Sequence, residues 1–292
     1  MRIAVYGRQL SDEILNSVEV LFSEVEKTGG ECLFFESFFN QIRQKTNLKI
    51  KNRIFNSTDE IRGKIDFMLS IGGDGTMLDT VTIVQDTGIP VLGINTGRLG
   101  FLTGISFENI PHAVEELNKG HFALDKRALL KLETNRTIFG ETNYALNELT
   151  IHKKDSSSMI KIHTYLNGEY LTTYWSDGLI IATPTGSTGY SLSCGGPIVA
   201  PQSENFLITP IAPHNLNVRP IVVSDKNVIS LEVEGRSNYF LASLDSRSVT
   251  IDSTIQFAVR KEEFTFNIVR IDNQNFLGTL RNKLMWGLDS RN

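Results

Sequence analysis

The run Leu69-Ser70-Ile71-Gly72-Gly73-Asp74-Gly75-Thr76 constrains this chain more than any other stretch. Phe67, Met68, Leu69 and Ile71 form a short apolar run closed by glycine, which predicts a buried strand. Three glycines around one carboxylate then impose a tight loop. Met77 and Leu78 resume the apolar pattern, which predicts a helix opening at Thr76. The stretch therefore reads as strand, loop and helix start.

The chemistry of that loop is specific. Gly72, Gly73 and Gly75 can adopt backbone angles closed to other residues and let a bulky anion approach the amides. The helix opening adds unpaired N–H groups and a positive dipole end, which suits phosphate. Asp74 is the anomaly, because a phosphate would repel it. A carboxylate belongs there if it holds a metal or takes a proton from an attacking hydroxyl, and both roles serve phosphoryl transfer. A plain Gly-Asp-Gly turn is the structural alternative.

Around this loop the first half alternates strands and helices. Ile3 to Tyr6 predicts a strand, Ser11 and Asp12 a helix cap, and Ile14, Leu15, Val18, Leu21, Phe22 and Val25 a helix ended by Gly29-Gly30. Cys32 to Phe35 predicts a second strand, followed to about Lys64 by a less regular segment expected as surface helix and loop. After the glycine loop come a helix to about Asp86, a strand from Ile89 to Ile94 and a helix from about Glu108 to Asn118. That alternation implies a doubly wound parallel sheet, which binds ligands beyond the C-terminal ends of its strands. The segment Asn95 to Leu102 lies at such an end and carries Arg98, so it is expected to form the second wall of a cleft. The net charge is −4, with 29 Lys and Arg against 33 Asp and Glu. No basic excess points to nucleic acid or membrane. An anionic substrate must be held by local amides, a few cations and a metal.

The second half changes period. Leu124 to Glu133 and Tyr144 to His152 predict strands, and Ile160 to Thr173 predicts a hairpin turning at Asn167-Gly168. Further strands are expected at Leu179 to Ala182, Phe206 to Ile208, Ile221 to Val223, Val228 to Val233, Tyr239 to Leu244, Val249 to Ile251, Ile255 to Val259 and Phe264 to Val269. No long helical period interrupts them. Residues 1–123 are thus expected as an α/β domain and 124–270 as an all-β domain. A helical tail, 271–292, is expected to pack back on the first through Phe276 to Trp286.

Several polar groups interrupt this strand pattern. Asn147 and Glu148 are adjacent, so one of them points to a buried side, where an amide and a carboxylate can bind a sugar or base. Asp177 sits where the run Leu179-Ile180-Ile181-Ala182 enters the core. Thr183-Pro184-Thr185-Gly186-Ser187-Thr188-Gly189-Tyr190 is dense in hydroxyls beside an aromatic platform. His214 is a single histidine, and His112, His121, His152 and His163 show no metal-ligand spacing. Cys32 and Cys194 are too few for a disulfide framework or a zinc cluster. The start Met1-Arg2-Ile3-Ala4 has no signal-peptide pattern, so a reducing cytoplasm is expected. Gly-x-x-x-x-Gly-Lys-Ser/Thr is missing, as is Gly-x-Gly-x-x-Gly after the first strand.

Taken together, these motifs resemble those of the bacterial NAD kinases over nearly the whole chain: Gly72 to Thr76, Gly93-Ile94-Asn95 with Gly100-Phe101-Leu102, Asn147-Glu148, Ser176-Asp177-Gly178, Thr183 to Tyr190, and Pro210 to His214 with Arg219-Pro220. The resemblance implies transfer of the ATP γ-phosphoryl group, with a divalent metal, magnesium being expected, to the adenosine-ribose 2′-hydroxyl of NAD. Asp74 would orient or deprotonate that hydroxyl, and Gly72, Gly73, Gly75, Thr76 and Arg98 would hold the ATP phosphates. NAD would meet Asp74, Gly75 and Phe101; Asn147 and Thr185 would hold the adenine and Glu148 the nicotinamide-side ribose. Asp177 and Ala212 would meet the nicotinamide end, with Thr188, Gly189, Tyr190, Ser193 and His214 lining the pocket. A homo-oligomer, dimer or tetramer, is also implied. Gly189 departs from the family's usual alanine, and Asp245-Ser246-Arg247 from Asp-Gly-Gln; neither is expected to touch the chemistry. The alternatives are a lipid or sugar kinase using the same loop, or a nucleotide-binding regulator without catalysis.

Overall fold

The computed structural model describes residues 1–46, 53–97, 100–154, 158–272 and 274–285. The chain divides into two compact units, one formed by residues 1–126 with the segment from Phe266 onward, the other by 127–265. The second unit is an insertion in the sequence of the first.

In the first unit, strands β1 (Arg2–Gly7), β2 (Glu31–Phe35), β3 (Ile54–Phe55), β4 (Phe67–Ile71), β5 (Val91–Asn95) and β6 (Ile105–Ser106) alternate with helices α1 (Asp12–Lys27), α2 (Glu36–Lys45), α3 (Thr58–Ile61), α4 (Asp74–Val84) and α5 (Ile110–Lys119). The sheet runs parallel in the order β5-β4-β1-β2-β3, with β6 beside β5. Ser11 caps α1 by accepting the Ile14 amide at 3.3 Å, and Gly120 closes α5 with φ +75°. The segment expected as surface helix and loop, of which residues 47–52 lie outside the described ones, contributes to the core and the sheet. Phe38, Phe39 and Ile42 bury one stripe of α2, and Ile54–Phe55 adds a strand to the sheet. The core of this unit also takes Val269 and Ile271 from the returning chain.

The second unit is built from strands. Strand β7 (Ala123–Thr134) leads into it, followed by β8 (Tyr144–Ala145), β9 (Glu148–Lys153), β10 (Ile160–Leu166), β11 (Glu169–Ser176) and β12 (Gly178–Ala182). A 3-10 turn (Thr185–Thr188) and the one-turn helix α6 (Tyr190–Ser193) come next. Strands β13 (Asn205–Ile211), β14 (Ile221–Ser224), β15 (Ile229–Glu234), β16 (Tyr239–Leu244), β17 (Arg247–Asp252) and β18 (Phe257–Arg270) complete the series. One antiparallel sheet has the order β14-β13-β12-β9-β16-β17, and β11, β10, β15 and the start of β18 pair antiparallel in another. Their inner faces share a core that includes Leu149, Ile162, Tyr174, Phe206, Phe240 and Phe257.

Strand β12 is buried along its whole length because Ile180 and Ala182 pack on the opposite face, with Cys194 and Val199 against them. This is why its sequence is continuously apolar. The predicted hairpin turn is present, with φ +51° at Asn167 and +85° at Gly168. The expected strands Ile255 to Val259 and Phe264 to Val269 are one strand, β18, whose polar middle does not break the pairing. Its end enters the first unit, where Ile268 pairs with Val91. Helix α7 (Phe276–Leu284) follows, with no buried residue on it, so its apolar spacing does not mark a core face. Trp286 lies outside the described residues.

Candidate active site

Strand β4 is fully buried and delivers the glycine loop at its C-terminal end. The Gly72 amide donates to Ile94 O of the neighbouring strand at 2.9 Å. Helix α4 then opens at Asp74, not at Thr76 as expected, with Gly73 as its N-cap. The Thr76 amide donates to Gly73 O at 3.0 Å and its side chain is buried. The N–H groups of Asp74 and Gly75, in the first turn, have no acceptor within the helix by its geometry. Thr80 fixes the helix to its strand by donating to Ser70 Oγ at 3.0 Å.

Asp74 ties the two glycine-rich loops of this sheet edge together. Its Oδ2 accepts the Phe101 amide at 2.8 Å, and its Oδ1 accepts Leu102 N at 3.0 Å, Thr103 N at 3.2 Å and Thr103 Oγ1 at 3.3 Å. A carboxylate has about four lone-pair sites, two on each oxygen. Oδ1 is saturated and Oδ2 keeps one site, so Oδ2 is the atom able to receive a hydroxyl proton. Close approach explains Gly100, since any side chain there would run into Asp74 Oδ1 and Thr103 Oγ1. Thr103 was not legible as a site residue, because a lone threonine after an apolar pair carries no sequence signal. Gln274 holds the far side of the loop, donating to Gly104 O at 2.8 Å, and Lys283 Nζ lies 5.9 Å from the Phe101 ring centre.

Arg98, expected as the cation of this loop, lies outside the described residues. The structure places a different cation at the glycine loop. Arg8, just beyond β1, forks onto Asp79 of α4 through Nε and Nη2, both at 2.6 Å. Its Nη1 comes within 3.7 Å of where a Gly75 Cβ would stand. Tyr6 also donates to Asp79 at 3.2 Å, and burial with that carboxylate beside it pushes the Tyr6 hydroxyl up to about 12.

In the second unit, the strand pattern breaks at Leu146 and Asn147, between β8 and β9. Thr183 N donates to Asn147 O at 2.8 Å and Thr183 Oγ1 donates to Leu146 O. Gly186 packs so closely on Asn147 O that a side chain would overlap it. Among the described residues the side-chain amide of Asn147 has no hydrogen bond, and Glu148 Oε2 is buried without one. Burial, and secondarily the neighbouring Asp245, push the Glu148 carboxyl up to about 8. Gly189 leaves room here, since an added Cβ would stand 3.3 Å from Glu148 Oε2.

Most hydroxyls of the Thr183 to Tyr190 segment build the turn. Thr183 also accepts the Gly186 amide at 3.2 Å, Ser187 donates to Pro184 O at 2.7 Å, and Thr188 donates to Thr185 O at 3.2 Å. Thr185 is buried and accepts from the buried Arg127 at 3.2 Å. Tyr190 and Ser193, on α6, are exposed. Asp177 and Ala212 are joined through their neighbours, because the Asp177 amide donates to Ile211 O at 2.9 Å and Ala212 turns the chain with φ +44°. Lys153 Nζ sits 2.6 Å from Asp177 Oδ1. The His214 ring stacks on Trp175 at 4.5 Å, and its amide donates to Trp175 O at 2.8 Å. Trp175, half exposed, was missed because an aromatic at a strand end reads as ordinary surface.

Asp245 opens the turn after Leu244, where Asp245-Ser246-Arg247 departs from the family pattern. It sits under the Asn-Glu pair with φ +51° and accepts the amides of Leu146 at 2.8 Å, Asn147 at 2.8 Å and Glu148 at 3.1 Å. Burial pushes its carboxyl up, against those amides and the Arg247 guanidinium, which pull it down. Arg247 donates to Thr142 O and Tyr144 O and stacks on Phe139 at 5.9 Å.

Among the described residues, no three His, Cys, Asp or Glu side chains gather as a metal site, and no helix is long and apolar enough to cross a membrane.

The family model for the ATP-NAD kinase N-terminal domain matches residues 5–122, and that for the ATP-NAD kinase C-terminal domain matches 146–271. A protein named NAD kinase from Cytophaga hutchinsonii is 49% identical over 100% of both chains, and one from Bacteroides fragilis is 45% identical over 100% of both. Among solved structures, an NAD kinase from Archaeoglobus fulgidus in complex with ATP aligns with TM-score 0.73 and 27% identity, covering 98% of this chain and 99% of that one. The yeast NADH kinase complexed with NADH shares the fold, with TM-score 0.87 at 22% identity over 99% of this chain and 88% of that one. With both domain models and full-length relatives in agreement, the chain belongs to the ATP-NAD kinase family.

Proposed function

We propose that this chain is an NAD kinase, transferring the γ-phosphoryl group of ATP to the 2′-hydroxyl of the adenosine ribose of NAD to make NADP. The observation that carries the reading is Asp74, a carboxylate at a helix opening that suits phosphate, locked by three amides and a hydroxyl with one lone-pair site left on Oδ2. A protein that only binds anions gains nothing from it. In the reaction the ribose 2′-oxygen forms a bond to the γ-phosphorus, the bond to the β-γ bridging oxygen breaks, and ADP leaves with that electron pair. Asp74 Oδ2 receives the hydroxyl proton. The Asp74 and Gly75 amides, with Gly72 and Gly73 allowing close approach, hold the phosphates, and Arg8, its Nε and Nη2 taken by Asp79, adds its Nη1 as a donor beside them.

NAD recognition is assigned to Asn147 and Glu148, whose polar side-chain atoms carry unused hydrogen-bonding capacity, together with Phe101 and the turn around Thr185, Thr188, Gly189, Tyr190 and Ser193. Asp177, Ala212 and His214 are assigned to the nicotinamide end. The described residues do not form a protein cage for a divalent cation, so magnesium would be held through the nucleotide phosphates, where it neutralises charge. The family resemblance supports a homo-oligomer and a cytoplasmic setting.

The test is incubation with ATP, magnesium and NAD, reading NADP through an NADP-specific dehydrogenase. Asp74→Asn keeps one acceptor oxygen for the Leu102 and Thr103 amides but turns an N–H₂ toward the Phe101 amide in place of the oxygen that receives the proton. Turnover is expected to fall by roughly 10²–10⁴, the range for a positioned base, with NAD binding retained. Folded native protein that binds NAD yet makes no NADP would leave a regulator in its place.

A further inference from the structure

Among the described residues, two carboxylates each gather three consecutive amides. Asp74 does so within the loop that carries the chemistry; Asp245 does so in a turn that has been given no role. Asp245 and Ser246 form the two-residue connection between β16 and β17, whose ends pair as Leu244 with Arg247. A turn of that length needs no buried charge. Asp245 is nonetheless half-buried, with its own amide donating to Glu148 O at 3.1 Å.

The bonding pattern uses what only a carboxylate has. Oδ2 accepts Leu146 N, and Oδ1 accepts Asn147 N and Glu148 N, so both oxygens act as acceptors at once. An asparagine of the same shape supplies one acceptor and turns an N–H₂ toward the remaining amide. On the opposite side Thr183 takes the carbonyls of Leu146 and Asn147. The backbone from 146 to 148 is therefore held on both sides, and what remains adjustable is the pair of side chains, Asn147 and Glu148.

We propose that Asp245 is a positioning residue for NAD recognition: its carboxylate presets the backbone under Asn147 and Glu148, so that the pair meets the dinucleotide without first having to order. The inference rests on the assignment of Asn147 and Glu148 to NAD. Asp245 touches no substrate and acts only through that pair. A preset site binds more tightly because the cost of ordering is met during folding.

Three measurements test it. In Asp245→Gly the positive φ is kept without strain and the carboxylate is removed; Asp245→Asn changes only one oxygen. Hydrogen bonds to a charged group are typically worth enough that losing them changes affinity by about tenfold or more. Both variants are expected to raise KM for NAD by about tenfold or more, with the glycine variant the more affected, while KM for ATP stays within about twofold. A turn that merely stabilises the fold would lower the melting temperature and the active fraction without separating the two Michaelis constants. Asn147→Ala serves as the benchmark. If it raises KM for NAD and the folded Asp245 variants do not, positioning by Asp245 is overturned while the NAD assignment stands. If neither changes KM for NAD, the assignment of the Asn-Glu pair itself has failed. A proportional rise in both constants also overturns the proposal. Amide exchange in the native protein needs no variant to fold: the amides of 146–148 should be equally protected with and without NAD, and protection appearing only with NAD would refute a preset site.

Discussion

Glu148 holds a proton that water would ordinarily take. Its Oε2 is buried without a partner, and burial, then Asp245, push its carboxyl from the ordinary 4.5 up to about 8. The folded protein therefore binds a proton that the unfolded chain releases across that window, and stability contributed by the neutral form is lost as pH rises from about 4.5 to about 8. Glu148→Gln fixes the neutral form and should flatten the fall in melting temperature between about pH 5 and pH 8, an effect of order a few kcal/mol of unfolding free energy at the alkaline end. The slope due to Asp245 stays in the variant. Identical pH profiles for native and variant would show that Glu148 is solvated and ordinary.

Among the elements, the turn after β12 shows how a motif can be legible while its inner workings are not. Its density of Ser and Thr stood out in the sequence, and the natural reading was a surface offering hydroxyls to a ligand. The structure turns Thr183, Thr185 and Ser187 inward, where they fix the turn and the neighbouring Leu146-Asn147 backbone. Thr183→Val keeps the shape but leaves the Leu146 carbonyl and the Gly186 amide without that partner, and should cost about 1–3 kcal/mol in urea unfolding. An unchanged midpoint would mean that water replaces the hydroxyl. The same limit separates Asp74 from Asp245. Asp74 was readable because glycines flank it in a strand-to-helix context. Asp245 was not, since its partners lie about a hundred residues away and local pattern carries no record of them. Periodicity located most strands and helices, and the misses fall where packing outweighs it. The polar centre of β18 stays in the ladder, and α7 has apolar spacing without burial.

The whole molecule is organised by an insertion: the chain leaves the first unit near Lys126 and re-enters it at Phe266. Phe266, Ile268, Val269 and Ile271 are all buried, and Ile268 pairs with Val91 at the sheet edge. At about 1.5–3 kcal/mol for each buried apolar side chain, these four supply an amount comparable to the entire stability of a domain. Ending the chain after Thr265 should therefore abolish cooperative melting of the first unit and expose residues 1–126 to protease, whereas residues 127–265 keep their strand signal in circular dichroism. A truncated chain whose first 126 residues stay protease-resistant would show that the returning strand is dispensable. The insertion also sets an order in time. During synthesis the sequence of residues 127–265 is complete before Phe266 is added, whereas the first unit still lacks Val269 and Ile271 of its core. The earlier-starting one must wait with the flank of Val91 uncovered, and the loop that Asp74 grips lacks its Gln274 brace until that residue has been translated. A nascent chain of this design therefore holds the complete sequence of the second unit while the first still lacks a pairing strand and the brace on its Asp74 loop.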